Sequence, residues 1–250
     1  MGEEKRNSPE IKVSGGVFRW LDNFWYHYKW HTIIVAFCVI VATVCILQTC
    51  SREKKDTVIV YGGPVYLSVS ENEQLNSVLQ SIMPYDLDGN GEKVVATSMY
   101  EIYSEDQIRE IVQETDDAGH PGYVDRNRNN SQYQTYNTYI QTGASSILLL
   151  DPWLYESLGK DYLMPMSELF EELPVGTLED GYGVRLGDTD LYREYAALQK
   201  LPADTIVCLM KPLLTSNKSR KEALYQREKD MFCAIVSFES PESESDGSAA

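Results

Sequence analysis

Apolar residues are distributed along this chain in two different ways. From Thr32 to Thr49 they run almost without interruption, TIIVAFCVIVATVCILQT, and no formally charged residue lies between Lys29 and Arg52. Beyond Thr57 they come in short bursts separated by polar stretches rich in Gly, Pro, Asn and Asp. The first pattern predicts a transmembrane helix, because at ~1.5 Å per residue the run nearly spans a hydrocarbon core of roughly 30 Å. Its Ile, Val, Leu and Phe side chains together contribute roughly −3 to −6 kcal/mol of insertion free energy, with no charge opposing them. A soluble core helix would carry a polar stripe, and this run has none.

The stretch before it, Trp20 to Trp30, is crowded with Phe24, Trp25, Tyr26, Tyr28 and Trp30, rings whose apolar body and polar tip suit the headgroup layer. The apolar run begins too late for a cleaved signal peptide, and no small-x-small site follows it. Leu47-Gln48-Thr49-Cys50 lacks the small residues of a lipoprotein cleavage box. The expected organisation is a cytoplasmic juxtamembrane segment at 1–31, a transmembrane helix at 32–50 and a linker at 51–56. An extracytoplasmic domain at 57–238 and a disordered acidic tail at 239–250 complete it, the tail having almost nothing apolar to bury.

The second pattern alternates strand-like and helix-like segments, the arrangement expected of helices packed on a sheet. The fold class expected is α/β: a single N-terminal transmembrane helix, then a one-lobed, mostly parallel sheet with flanking helices. Thr57 to Tyr61 reads as an apolar strand ending in Gly62-Gly63-Pro64. Ser70 and Glu73 have capping-box spacing. Leu75, Val78, Leu79, Ile82 and Met83 then mark the buried face of a helix that Pro84 stops. Val94 to Tyr103 is a second strand, followed by a Ser104–Gln107 capping box and a helix on Ile108, Ile111 and Val112. Thr115 to Ser131 is polar and reads as a long surface loop. Tyr133, Tyr136 and Ile140 mark a helix capped by Gly143, and Ser146 to Leu150 a fully apolar strand closed by the helix-starting pair Asp151-Pro152. Further helices are expected near 167–173, 190–198 and 219–238, and further strands at 184–186 and 205–210.

The run Tyr136-Asn-Thr-Tyr-Ile-Gln-Thr-Gly143-Ala-Ser-Ser-Ile-Leu-Leu-Leu-Asp151, followed by Trp153 and by Tyr162-Leu-Met-Pro-Met-Ser167, resembles the first lobe of extracellular solute-binding proteins of ABC importers. Thr57 to Gly63 is similar to that family's opening strand, so the resemblance covers residues 57–173. It implies a small-molecule ligand at the carboxyl ends of the strands. Carried onto this chain, it places Tyr61, Gly62, Gly63, Asp151 and Trp153 toward that ligand. A family member closes a second lobe over its ligand; here too little chain is expected to remain for one, so a lone lobe would bury only one side of a solute. The plainer alternative is that Asp151 only caps a helix and Trp153 only packs.

One further segment has metal-ligand spacing. Asp86, Asp88, Asn90 and Glu92 place oxygen side chains at alternate positions around Gly89 and Gly91, as calcium loops do. The residue at the twelfth position is Thr97 rather than a bidentate Glu, and a turn entering the next strand is the competing reading. His27 and His31, four apart, are read as interfacial rather than as a zinc pair, and His120 stands alone without an announced triad. Gly181-Tyr-Gly183 continues wrongly for a dinucleotide fingerprint, and no P-loop occurs. Cys208 and Cys233 are expected as buried free thiols.

Charge then narrows the partners. Twenty-two basic against thirty-eight acidic residues give −16 overall, which argues against nucleic acid, since phosphate binding needs clustered Lys and Arg. Eight basic and five acidic residues lie up to Lys55, so the excess of negative charge falls entirely beyond it. Five of those basic residues precede the apolar run, favouring an inner N-terminus and an outer domain. The expectation is a cell-membrane, single-pass, solute-binding-like module on the outside of a bacterial cell, without catalytic activity. Its partners would be the lipid bilayer and a small molecule. The alternative is an interaction or scaffold subunit whose partner is another envelope protein.

Overall fold

Residues 16–50, 55–87, 89–115, 120–212 and 218–240 are described by the computed structural model of the chain. Residues 51–54 of the expected linker, Asp88, residues 116–119 of the expected loop and 241–250 of the expected tail lie outside the described residues. The chain divides into two units, 1–53 and 54–250.

In the first unit one helix, α1 (Gly16–Cys50), runs through both the aromatic stretch and the apolar run, so no break separates them. Its Tyr28–Cys45 window has a mean hydropathy of 1.7, and the helix is long and apolar enough to cross a membrane. Thr43 donates its hydroxyl to the Val39 carbonyl at 2.8 Å, which satisfies a polar group inside the apolar stretch. Phe24, Trp25, Tyr26, Tyr28 and Trp30 stand exposed along it.

The second unit is built on a five-stranded sheet: β1 (Thr57–Gly63), β2 (Val95–Glu101), β3 (Ile147–Leu150), β4 (Gly183–Arg185) and β5 (Ile206–Leu209), in the order β2-β1-β3-β5-β4. β1 pairs parallel with both β2 and β3, whereas β5 runs antiparallel to β3 and to β4. The α/β class therefore holds, and the expected mostly parallel sheet is a mixed one. The antiparallel strand was not legible because Ile206-Val-Cys-Leu209 is buried throughout, and a fully buried run has no pattern that encodes direction.

Both faces of the sheet are covered. On one face Leu75 and Leu79 of α2 (Val69–Ser81) and Met231, Phe232 and Ile235 of α7 (Lys218–Val236) meet Ile59, Ile147, Leu149 and Val207. On the other, Tyr136 and Ile140 of α4 (Arg126–Thr142) and Leu154 and Tyr155 of α5 (Pro152–Ser157) meet Val60, Leu148 and Cys208. The alternation of Ile59, Val60 and Tyr61 between the two layers is the period of a strand, and each such side chain contributes about 1.5–3 kcal/mol by leaving water.

Caps set where helices begin. α2 uses Ser68 and Glu71 as its capping box, not Ser70 and Glu73. Ser68-Val-Ser70-Glu71-Asn72-Glu73 offers the same spacing twice, and Leu67, buried in the core, fixes the entry two residues earlier. α3 (Glu105–Gln113) starts at the expected Ser104–Gln107 box. α4 begins at Arg126, so the expected loop to Ser131 is shorter: Asp125 accepts from the amides of Asn127 and Arg128. Upstream, Thr115 bridges to Pro121, and Gly122 donates to the Glu114 carbonyl. Gly143 ends α4 in the left-handed conformation at φ 59°, which a side chain would resist. The helix expected near 167–173 is a single 3₁₀ turn, Met166–Glu168, and that expected at 190–198 is α6 (Asp190–Glu194) followed by a second 3₁₀ turn, Leu198–Lys200.

Candidate functional site

The three parallel strands β1, β2 and β3 deliver their carboxyl ends to one edge of the sheet. After β1 the chain enters α2 on one face; after β3 it enters α5 on the other. Neighbouring strands whose connections leave in opposite directions mark the edge at which open α/β sheets bind ligands. Gly62 and Gly63 end β1 and Asp151 follows β3, with the Asp151 amide donating to the Gly62 carbonyl at 2.8 Å.

The five residues singled out by resemblance do meet here, in different capacities. Tyr61 is fully buried. A Cβ on Gly63 would sit 2.6 Å from the Tyr61 hydroxyl and 3.3 Å from the Asp151 Cβ, while one on Gly62 would strike Leu154 at 2.9 Å and Tyr136 at 3.2 Å. Gly62 thus serves packing against α4 and α5, and Gly63 lets the chain pass over the Tyr61 hydroxyl. Asp151 caps α5 through the Trp153 amide at 2.9 Å and accepts from the Gln107 side chain at 3.0 Å. Gln107 also accepts from the Ser104 amide at 2.8 Å, so the α3 capping box is tied to the end of β3. Trp153 is 39% exposed and lies 5.9 Å from the Tyr133 ring; it is the one of the five with a broad solvent-facing surface.

At the same edge, at the end of β2, is a cavity of about 250 Å³ bounded by Glu101, Tyr103, Tyr123, Asp125, Arg128 and Asn129. Glu101 is in register with Gly63, and the Ile102 amide donates to the Gly63 carbonyl at 2.8 Å. Arg128 pairs with Glu101 at 2.9 Å, and the Tyr103 hydroxyl donates to the other carboxylate oxygen at 2.9 Å. Burial and that carboxylate push the Tyr103 phenol up to about 12, so it remains a hydrogen-bond donor at neutral pH. Asn129 holds the Tyr103 backbone from both sides, accepting from its amide at 2.9 Å and donating to its carbonyl at 3.0 Å. The Arg128 guanidinium lies 6.0 Å from the centre of the exposed Tyr66 ring. Sequence reasoning missed Glu101, Tyr103 and Arg128. Their only signal was that Tyr103 and Glu101 end the strand beside Gly63.

Among the described residues of the Asp86–Glu92 segment, side chains turn back onto the local backbone. Asp86 accepts from the Gly89 amide at 2.7 Å and the Gly91 amide at 2.6 Å, and Asn90 accepts from the Glu92 amide at 2.8 Å. Gly89 and Gly91 both have positive φ, the conformations such a turn asks of glycine. Among the described residues no group of three or more His, Cys, Asp or Glu converges as a metal site. Cys208 is buried and Cys233 half-buried, both as free thiols, and burial pushes the Cys208 thiol up.

No protein-family model, no curated protein and no solved structure matches the chain.

Proposed function

We propose that the chain is a single-pass membrane protein whose second unit is a non-catalytic, solute-binding-like module outside the cell, taking a small molecule at the carboxyl-end edge of its sheet. One observation carries the reading: at the carboxyl end of β2 lies a cavity of about 250 Å³ lined by both signs of charge. Small-molecule sites combine a concave pocket with a few placed polar groups, and the Asp151–Gln107 bond ties the end of β3 to α3 at the same edge of the sheet. α1 supports the anchor by length and composition, and the basic excess before the apolar run supports an inner N-terminus.

The test uses the full-length protein. In intact cells, added protease should digest the acidic domain while sparing the N-terminal segment; protection of the domain would reverse the orientation. In detergent micelles, a panel of sugars, amino acids and short peptides should raise the melting temperature for at least one class. A flat response across the panel would remove solute binding. Exposed Tyr123 and Tyr66 near the same rim favour a second reading, an interaction subunit that docks an envelope protein there. Crosslinking from Tyr123 that captures one membrane protein, with no solute response, would select it.

A further inference from the structure

The cavity at the end of β2 has a charge layout that discriminates among solutes. Glu101 and Asp125 are anionic, Arg128 is cationic, and all three bound the same space. A simple anion placed there meets two carboxylates, and a simple cation meets a guanidinium. A ligand carrying both charges on neighbouring groups can set each against its opposite. Arg128 holds one N–H on Glu101 at 2.9 Å, and its planar fork fits a second carboxylate in bidentate fashion. Glu101 is held from the other side by Tyr103, so it keeps its position when Arg128 turns to a ligand.

Resting on the solute-binding reading above, we propose that this cavity binds a zwitterion of the α-amino acid class, including the free end of a short peptide. Arg128 takes the α-carboxylate, and Glu101 and Asp125 take the α-ammonium. The ligand side chain lies toward Tyr123, which is 84% exposed. The Arg128–Glu101 pair is the resting partner exchange: each group already faces a charge of the sign that the ligand brings.

The experiment is calorimetric titration of the full-length protein in micelles with L-leucine, with 4-methylpentanoate, which lacks the ammonium, and with 3-methylbutylamine, which lacks the carboxylate. Glycine, L-phenylalanine, dileucine and maltose form the remaining arms. Binding of at least one zwitterion is expected, with each matched half-molecule at least about tenfold weaker. Arg128→Ala should abolish the preference for zwitterion over amine, Arg128→Lys should restore it in part, and Glu101→Gln should abolish the preference over the carboxylate. Circular dichroism confirms that each variant is folded. Maltose binding with no zwitterion binding would overturn the charge assignment and leave solute binding standing. Equal affinity for a zwitterion and its half-molecules would overturn the assignment as well, and silence in every arm would overturn both readings.

Discussion

The same three kinds of side chain, an acid, a base and a tyrosine, meet twice in the second unit. At the rim, Glu101 is held by Arg128 and Tyr103; near the other edge of the sheet, Asp180 is held by Lys160 at 2.6 Å and by the Tyr155 hydroxyl at 2.8 Å. In the second cluster the Lys160 ammonium also sits 3.5 Å from the centre of the Tyr155 ring, and Tyr155 is fully buried under it. Burial and the Asp180 carboxylate together push the Tyr155 phenol up. That cluster closes on itself and pins the segment after α5 to the turn before β4. The rim cluster leans instead on a cavity and on exposed Tyr66. Similar chemistry thus ties two segments together in one place and borders a cavity in the other.

The comparison is broken most severely at the closed cluster. Tyr155→Ala removes a fully buried aromatic ring together with the anchor of Asp180 and should cost about 3–5 kcal/mol in urea unfolding. A more deeply buried acid shows what desolvation does. Glu228 of α7 is 5% exposed with Ser146 against it, and burial pushes its carboxyl up to about 7. The folded state therefore holds a proton that the unfolded chain releases near 4.5. Stability is complete below about pH 4.5 and falls as pH rises toward 7, by on the order of 3 kcal/mol for this group alone. Glu228→Gln should flatten that slope in melts across the range and raise stability at neutral pH.

Smaller effects sharpen the comparison from the open side. Arg128→Ala removes an exposed ion pair and should change stability by no more than ~1 kcal/mol, although it should remove the charge preference of the cavity. A loss as large as that of Tyr155→Ala would show that the rim cluster is a structural pin as well. The smallest effect is expected from calcium. Asp86 already accepts two backbone amides, so calorimetry should find uptake no tighter than the millimolar range of extracellular modules.

Much of the scaffold was legible in the sequence because local chemistry determined it. Ser104 with Gln107, Asp151 before Pro152, and Gly143 after Ile140 each mark a helix end that the structure uses. The head of α4 was not legible: Arg126 to Gln132 has no apolar stripe, and it is held by Asp125 and by ion pairs from Arg126 to Glu105 and Arg128 to Glu101. The same reason hid the rim. Glu101 and Arg128 are 27 residues apart, and no local spacing announces a pair that only the β2–α4 packing brings together.

Trp153 is the only tryptophan beyond Trp30, and it stands exposed at the rim while Tyr155, two residues on, is buried in the closed cluster. Nitrogen-15 spectra of the full-length protein, recorded as L-leucine is added, therefore report on both places at once. Shifts in the Trp153 indole and in the amides of Glu101, Tyr103 and Arg128, with Tyr155, Lys160 and Asp180 unmoved, are the predicted result. Spectra unchanged throughout, or changed around Asp180 and not around Glu101, would contradict the assignment of the rim as the binding edge.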